Sequence, residues 1–538
     1  MWIETGGLKP GGLSPDDSLQ VYNGLDCCLT TEVFGEIKRT YASSQSQWQG
    51  IYDFERALQG PYLEIMQRGF KVDEIGRRTA SRELTTRINH LTQLVNEWAE
   101  VIWDKRYKDK ETKELRALNP QSPAQLKELF YSAMKLPEIW LSQKGERKLS
   151  VNREALEKLD DYLYARPFTN AILSIRDLAK QREIFDSAID PDGRFRAAYN
   201  IAGTETGRPS SSENAFGTGR NAQNIAPGLR YVFESDIGCT MCVIDLEQVE
   251  ARDVGFFCGC LFDDWEFLDN CESGDLHTNN AKRIWPGLGW TEDKKADRLL
   301  ADKNFYREFS FRDMAKRGSH LSNYMGTAWT AARSLKLPIN ILEEFQARYC
   351  RGGTINGQAI APAFPAIPRW WQWTATQLQT HGHITTPFGR RRHFFGRPGD
   401  DTTLREAIAF LPQSTTADRM NLGLWRTWRR LPEVQLLAQT YDSITFQFDS
   451  SRNADDIIGR ILELIKVELV SPSGRRYVVP GEAKVGYNWG ARVVQGDQDK
   501  ARAEGKKVPR LNLGGLVKWK PGLKLGPRPE TGLNRVMA

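Results

Sequence analysis

The chain has 538 residues, 40% hydrophobic and 26% charged, with a formal charge of +6; this is the ordinary mix of a multidomain globular protein and excludes collagenous, disulfide-stapled and wholly disordered classes. No run approaches the roughly 18 uninterrupted apolar residues of a spanning helix. The opening Met1-Trp2-Ile3-Glu4-Thr5 lacks the basic-then-apolar order of a signal peptide, so the expectation is a cytoplasmic protein with no membrane partner. The charge is uneven: residues 500–538 hold ten Lys or Arg and two Asp or Glu, leaving 64 basic against 66 acidic side chains elsewhere. Any polyanion-binding surface in the body must therefore be a local patch.

Residues 1–20, rich in Gly, Pro and Ser, read as an unanchored arm. Apolar residues then recur at helical spacing over 53–68 (Phe54, Leu58, Tyr62, Ile65, Met66) and stop at Gly69. Further helices are expected over 81–102 and 154–185, with Asn119-Pro120-Gln121-Ser122-Pro123 breaking the chain and capping 124–131. Near residue 191 the texture changes to short β-type runs at 195–199 and 240–245. Residues 434–448 read as a hairpin with a polar break at Tyr441-Asp442-Ser443. Helical segments over about 305–335, 339–350, 366–380, 413–430 and 454–469 split these strands. The eight cysteines, without metal spacing, read as core residues of a reducing compartment.

Asp245 ends an apolar strand and Asp442 crests the hairpin. A carboxylate where a buried strand emerges is rigid yet partly exposed, which suits a hard oxygen-ligated cation such as Mg²⁺. Each taken singly also fits an ordinary turn aspartate. Arg312, Lys316, His320 and Tyr324 follow at i, i+4 steps on one helix face. That face suits a triphosphate and a sugar or base; a solvated basic face is the competing reading. Gly318 and Gly326, poor for helix stability, tilt it towards function.

Asp245-Leu246-Glu247-Gln248-Val249-Glu250-Ala251-Arg252 resembles motif A of the family A (polymerase I-like) DNA polymerases. Arg312-x3-Lys316-x7-Tyr324 resembles motif B and Gln439-Thr440-Tyr441-Asp442-Ser443 motif C. Thr206–Ser211, Gln223-Asn224-Ile225, Asp275-Leu276-His277, Gly389–Arg392, Arg405 with Gln413, and Val485–Gly490 follow the family in order, so the resemblance covers about residues 51–490. It implies an α/β (α+β) right-hand fold, with helical thumb and fingers around an antiparallel palm. The expected divisions are 51–190 thumb, 191–275 and 385–490 palm, 276–384 fingers, and 491–538 a flexible basic extension.

The implied activity is extension of a DNA primer on a template with dNTPs. Two Mg²⁺ ions, replaceable by Mn²⁺, would be held by Asp245, Asp442 and the Leu246 carbonyl. By the same resemblance Arg312, Lys316 and His277 hold the triphosphate, with Lys316 placed to protonate the leaving group. Glu250 and Tyr324 exclude a ribose 2′-hydroxyl, His320 and Gln248 complete the nucleotide shell, and Arg208, Arg405, Gln413, Asn224, Tyr441 and Ser443 meet the primer-template. His320 stands where Phe or Tyr is usual, Tyr441 and Ser443 replace His and Glu, and Ala409 replaces Asn. The His320 pattern with Asn323-Tyr324 resembles phage branches. Tyr22-Asn23-Gly24-Leu25-Asp26 resembles one motif of a 3′–5′ proofreading exonuclease whose other motifs are absent. Residues 1–50 thus read as a remnant, with Tyr22 and Asp26 vestigial or completing a separate exonuclease polypeptide. The competing functions are a single-subunit RNA polymerase, against which Glu250 stands, and a non-catalytic replication scaffold.

Overall fold

The computed structural model describes residues 14–42, 47–102, 107–108, 115–143, 146–291, 293–307, 309–355, 357–506 and 508–529. Helix α1 (Pro15–Ala42) begins inside the stretch expected to be an arm, because the Ser14 hydroxyl accepts the Asp17 N–H at 3.1 Å and caps it; the rest of that expectation, 1–13, lies outside the described residues. Tyr22 is 46% exposed on α1, and Asp26 is exposed one turn on. Helix α2 (Gln47–Arg68) ends at Gly69, whose φ of +61° and approach to the Phe195 carbonyl exclude a side chain. Helices α3 (Glu74–Ile102) and α4 (Arg166–Asp186) pack together around Ile88, Val95, Phe168, Ile172 and Ile175. The helix expected over 154–185 is split into Arg153–Leu159 and α4, since Pro167 can only start a helix there.

A five-stranded antiparallel sheet forms the centre. Strand β1 (Cys239–Leu246) leads within two residues into α5 (Val249–Phe262). Then come α6 (Leu276–Ile284), α7 (Phe311–Asn323), α8 (Ala328–Leu335), α9 (Ala366–His381) and α10 (Asp401–Arg430). The chain returns through β2 (Gln435–Thr440), β3 (Ser443–Asp449), α11 (Ala454–Ile465), β4 (Gly481–Gly486) and β5 (Val517–Lys518), giving strand order β2-β3-β1-β4-β5. One face is sealed by α11 through Ile457, Ile458, Ile461 and Ile465 and by α10 through Met420 and Leu424, which join Ile244, Phe446 and Phe448 in the largest core. That burial fixes the register, because a one-residue slip would turn Ile244 to the cleft.

Three expectations are corrected. The segment 305–335 opens as a short hairpin (Asn304–Tyr306 with Phe309–Ser310), and α7 starts at a Ser310–Asp313 capping box. Met325 at φ +58° then breaks it from α8. Helix α10 runs through Pro412 instead of starting after it, because Asp400 caps it twelve residues earlier by accepting the Thr402 and Thr403 N–H groups. The C-terminal extension, expected to be flexible, is built into the sheet. Val517 and Trp519 pack on the core, the Asn488 and Asn512 amides bond reciprocally at 2.8 and 2.9 Å, and Arg528 donates to the Ser235 and Asp236 carbonyls. Residues 530–538 of that extension lie outside the described residues. Among the described residues no helix is long and apolar enough to cross a membrane.

Candidate active site

The floor of the site is the end of β1 and the β2–β3 turn. Asp245 lies opposite Ser443 on one side and Glu482 on the other. The turn is tied down: the Leu246 N–H donates to the Asp442 carbonyl at 3.0 Å, and the Gln439 amide donates to the Tyr441 carbonyl at 2.7 Å. Tyr441 takes φ +55° there, a left-handed turn position that a non-glycine residue adopts only when its surroundings hold it. The Ser443 hydroxyl is spent on the Thr440 carbonyl at 2.9 Å. Asp245, Leu246 and Asp442 line one cavity of about 490 Å³. Burial, then the charge of Asp442, pushes the Asp245 carboxyl up to about 7; burial, then Glu250, raises Asp442 as well. Two carboxylates that resist ionising together are what a divalent cation relieves. Among the described residues there is no cluster of three or more His, Cys, Asp or Glu groups suited to a metal.

The opposite wall is cationic. Lys316 and His320 project from α7, and His277 from the start of α6, into the same cavity. Arg312, one turn before Lys316, instead grips Asp275 with two bonds of 2.9 Å, while Asp275 accepts the His277 N–H and caps α6. Although burial opposes it, the Arg312 bond and charge hold the Asp275 carboxyl well below its usual range. Burial, then Arg312 and Lys316, pushes His277 down to about 4, so its ring is neutral at pH 7. Among the described residues the His277 Nδ1 and the Gln248 Oε1 have no hydrogen-bond partner although buried, and both residues line the cavity.

Between the walls stands Glu250. Its carboxylate accepts from the Tyr324 hydroxyl and pairs with Arg208. Burial and the Glu250 charge hold the Tyr324 phenol protonated, well above its ordinary range. His320 packs edge-on to Tyr324 at 5.4 Å. The Tyr441 hydroxyl donates to Asn224 at 3.1 Å, and the Arg208 guanidinium sits 5.8 Å from its ring, so Arg208, Asn224 and Tyr441 form one rim. Arg405 and Gln413 do not line the cavity. They mark, with Ala409, a half-exposed stripe at i, i+4, i+8 along the otherwise buried part of α10, and Arg405 pairs with Asp401 at 3.1 Å. Tyr22 and Asp26 are likewise outside the cavity lining.

Sequence reasoning missed Phe267, Asn280 and Ser319, which line the cavity, with Asn280 donating to the Ser319 hydroxyl at 3.3 Å. It also missed Arg230, Glu482 and Lys484, whose charges act on Asp245. Only the strand register could have found the last two. Gly318 has a packing reason instead of a functional one, since a Cβ there would lie 2.5 Å from the Phe345 ring.

Residues 88–306 match the model of DNA polymerase family A, a span that includes Asp245 and His277 and stops short of Lys316 and Asp442. The chain is 25% identical over 512 residues to the thermostable DNA polymerase I of Thermus aquaticus, covering 89% of this chain and 53% of that protein. It is 24% identical over 464 residues to DNA polymerase I of Deinococcus radiodurans, covering 82% and 42%. The chain thus spans about half the length of the curated relatives it matches. Among solved structures, the POL domain of Pol1 from M. smegmatis in complex with DNA primer-template and dNTP superposes with a TM-score of 0.59 at 19% identity, covering 81% of this chain and 69% of that one. This likeness shows the α/β right-hand polymerase fold. In sequence and in fold, the chain is similar to the family A, Pol I-like DNA polymerases.

Proposed function

We propose that this chain is a template-directed DNA polymerase that extends a DNA primer with dNTPs. One observation carries the reading: a pair of strained carboxylates, Asp245 and Asp442, faces Lys316 and His277 across a single cavity. Asp245, Asp442 and the Leu246 carbonyl would hold two Mg²⁺ ions, or Mn²⁺ in their place, which when bound supply charge stabilisation to the primer hydroxyl and the leaving pyrophosphate. Lys316 binds the triphosphate and is placed to give its proton to the departing pyrophosphate. Neutral His277 adds a hydrogen bond without adding charge. Arg312 contributes its charge while Asp275 fixes its direction. Glu250, clamped between Arg208 and Tyr324, cannot swing aside and obstructs a 2′-hydroxyl, which favours a DNA over an RNA polymerase. Arg208, Asn224 and Tyr441 form the rim nearest the primer terminus. Arg405 and Gln413 extend the contact along α10.

In the same reading 51–190 is the thumb, 191–275 with 385–490 the palm and 276–384 the fingers. His320 with Asn323-Tyr324 supports a phage-type polymerase working in the host cytoplasm. The exposed Tyr22 and Asp26 of α1 are offered to a separate exonuclease polypeptide. The test is primer extension on a defined template with Mg²⁺, supplied with dNTPs or rNTPs. Extension by dNTPs alone is expected; equal use of both, or no extension, refutes the reading.

A further inference from the structure

The extension past Gly490 places side chains on the catalytic face of the sheet. Strand β5 pairs with β4, with Lys484 opposite Lys518, while β4 pairs with β1, with Asp245 opposite Glu482 and Val243 opposite Lys484. Directly opposed residues in antiparallel strands share a face. Lys484 and Lys518 therefore stand on the face that carries Asp245, one row behind it. The Trp519 N–H donates to the Ala483 carbonyl at 2.9 Å, so pairing continues past Lys518 and alternation brings Lys520 to this face too. The strand is anchored from its other side: the Trp519 indole donates to Asp455 at 3.1 Å, the Gly522 N–H donates to the same carboxylate at 2.7 Å, and Val517 packs on the core.

Lys518 reaches Glu482 at 2.5 Å, and Lys484 lies 3.6 Å from it. Glu482 is thus shared by Lys484 and Lys518, the Glu247 charge also acts on Lys518, and Lys518 and Lys520 are exposed. Three lysines held in a row by a rigid sheet, where the rest of the body is nearly neutral, form a fixed cationic track that starts beside Asp245. Lysines in this setting bind a phosphate chain as point charges.

Resting on the polymerase reading, we infer that Lys518 and Lys520 of the C-terminal strand, continuing from Lys484, contact the phosphodiester backbone of the primer-template as it leaves the catalytic carboxylates. The test is the salt dependence of primer-template binding, measured by fluorescence anisotropy without dNTP, for the wild-type chain and for Lys518→Gln/Lys520→Gln. Each phosphate contact contributes a slope of about 0.9 in log K against log salt. The double variant should lose a slope of about 1 to 2 and bind several-fold more weakly at low salt, while Lys518→Arg/Lys520→Arg restores the wild-type slope. An unchanged slope with wild-type melting overturns the inference, and so does an unchanged slope with a raised KM for dNTP, which would assign the row to the nucleotide's phosphates. A wild-type chain that binds primer-template yet extends nothing refutes the polymerase reading and leaves the track to be judged by slope alone.

Discussion

The two walls of the cavity carry opposite charge and the same kind of cost. On the sheet side, burial and the Asp442 charge push Asp245 up to about 7, and burial with the Glu250 charge raises Asp442. On the helix side, burial and the Arg312 and Lys316 charges push His277 down to about 4. The acidic charges are buried at the sheet end, whereas Lys316 stands exposed on α7 and Arg312 is paired with Asp275. In the proposed reading a divalent cation would relieve the first wall and a polyphosphate would meet the second. The buried Asp253–Arg419 pair, both side chains 0% exposed and bonded at 2.8 Å, is the contrast: its opposite charges meet directly, Asp253 also accepts from the Thr416 and Tyr477 hydroxyls, and the pair ties α5 to α10.

Breaking the acidic wall should have the largest effect. Asp245→Asn is expected to lower single-nucleotide incorporation by at least about 10³-fold in quenched-flow assays, with primer-template binding within a few-fold. Breaking the basic wall comes next: Lys316→Ala should cost roughly 10²–10³ in kcat/KM for dNTP, and Lys316→Met, which keeps the stem, should recover none of it. The gate between the walls follows. Glu250→Ala should relax discrimination against rNTPs by about 10- to 100-fold and lower Tm by a few degrees, since Arg208 loses its carboxylate; unchanged rNTP use would remove Glu250 from the sugar site.

Stability against pH separates the walls more gently. A histidine whose folded value is lowered to about 4 stabilises the fold fully above its unfolded value of 6.5 and loses that contribution as pH falls towards 4. Asp245, raised to about 7, contributes fully below its unfolded value of 3.8 and loses that contribution as pH rises towards 7. The two slopes oppose in the same window. His277→Asn should therefore flatten the acid-side fall in stability by at most about 2–3 kcal/mol, read by urea melts from pH 7 to 4.5. The smallest effect is His320→Phe, which should change dideoxynucleotide discrimination a few-fold; no change would mean this ring does not touch the sugar.

Much of the site was legible in the sequence because its residues sit at ends of strongly patterned elements. Asp245 closes an apolar strand, Asp442 interrupts a hairpin, and the i, i+4 ladder on α7 needs only helical periodicity to share a face. What the sequence concealed depends on register and on distant packing. Glu482 and Lys484 have no local signature, and they reach Asp245 only because β4 pairs with β1 in one register. The alternation Val517-Lys518-Trp519-Lys520 was visible, yet it was masked by the Gly, Pro and Lys around it; a two-residue strand becomes ordered only through Asp455 and the core beneath it. Pro412 misled for the complementary reason: a proline is tolerated inside a helix whose cap and packing hold it on both sides.

The central claim, that Asp245 and Asp442 form a cation site poised by burial and neighbouring negative charge, is tested most directly by equilibrium Mn²⁺ binding, followed by electron paramagnetic resonance on the chain without DNA or nucleotide. Wild-type protein should bind Mn²⁺ at pH 8 and at least tenfold more weakly at pH 5, where the raised carboxyls hold their protons, and Asp442→Asn should lose the pH-dependent fraction. Equal affinity at the two pH values, or binding unaltered in Asp442→Asn, would contradict it.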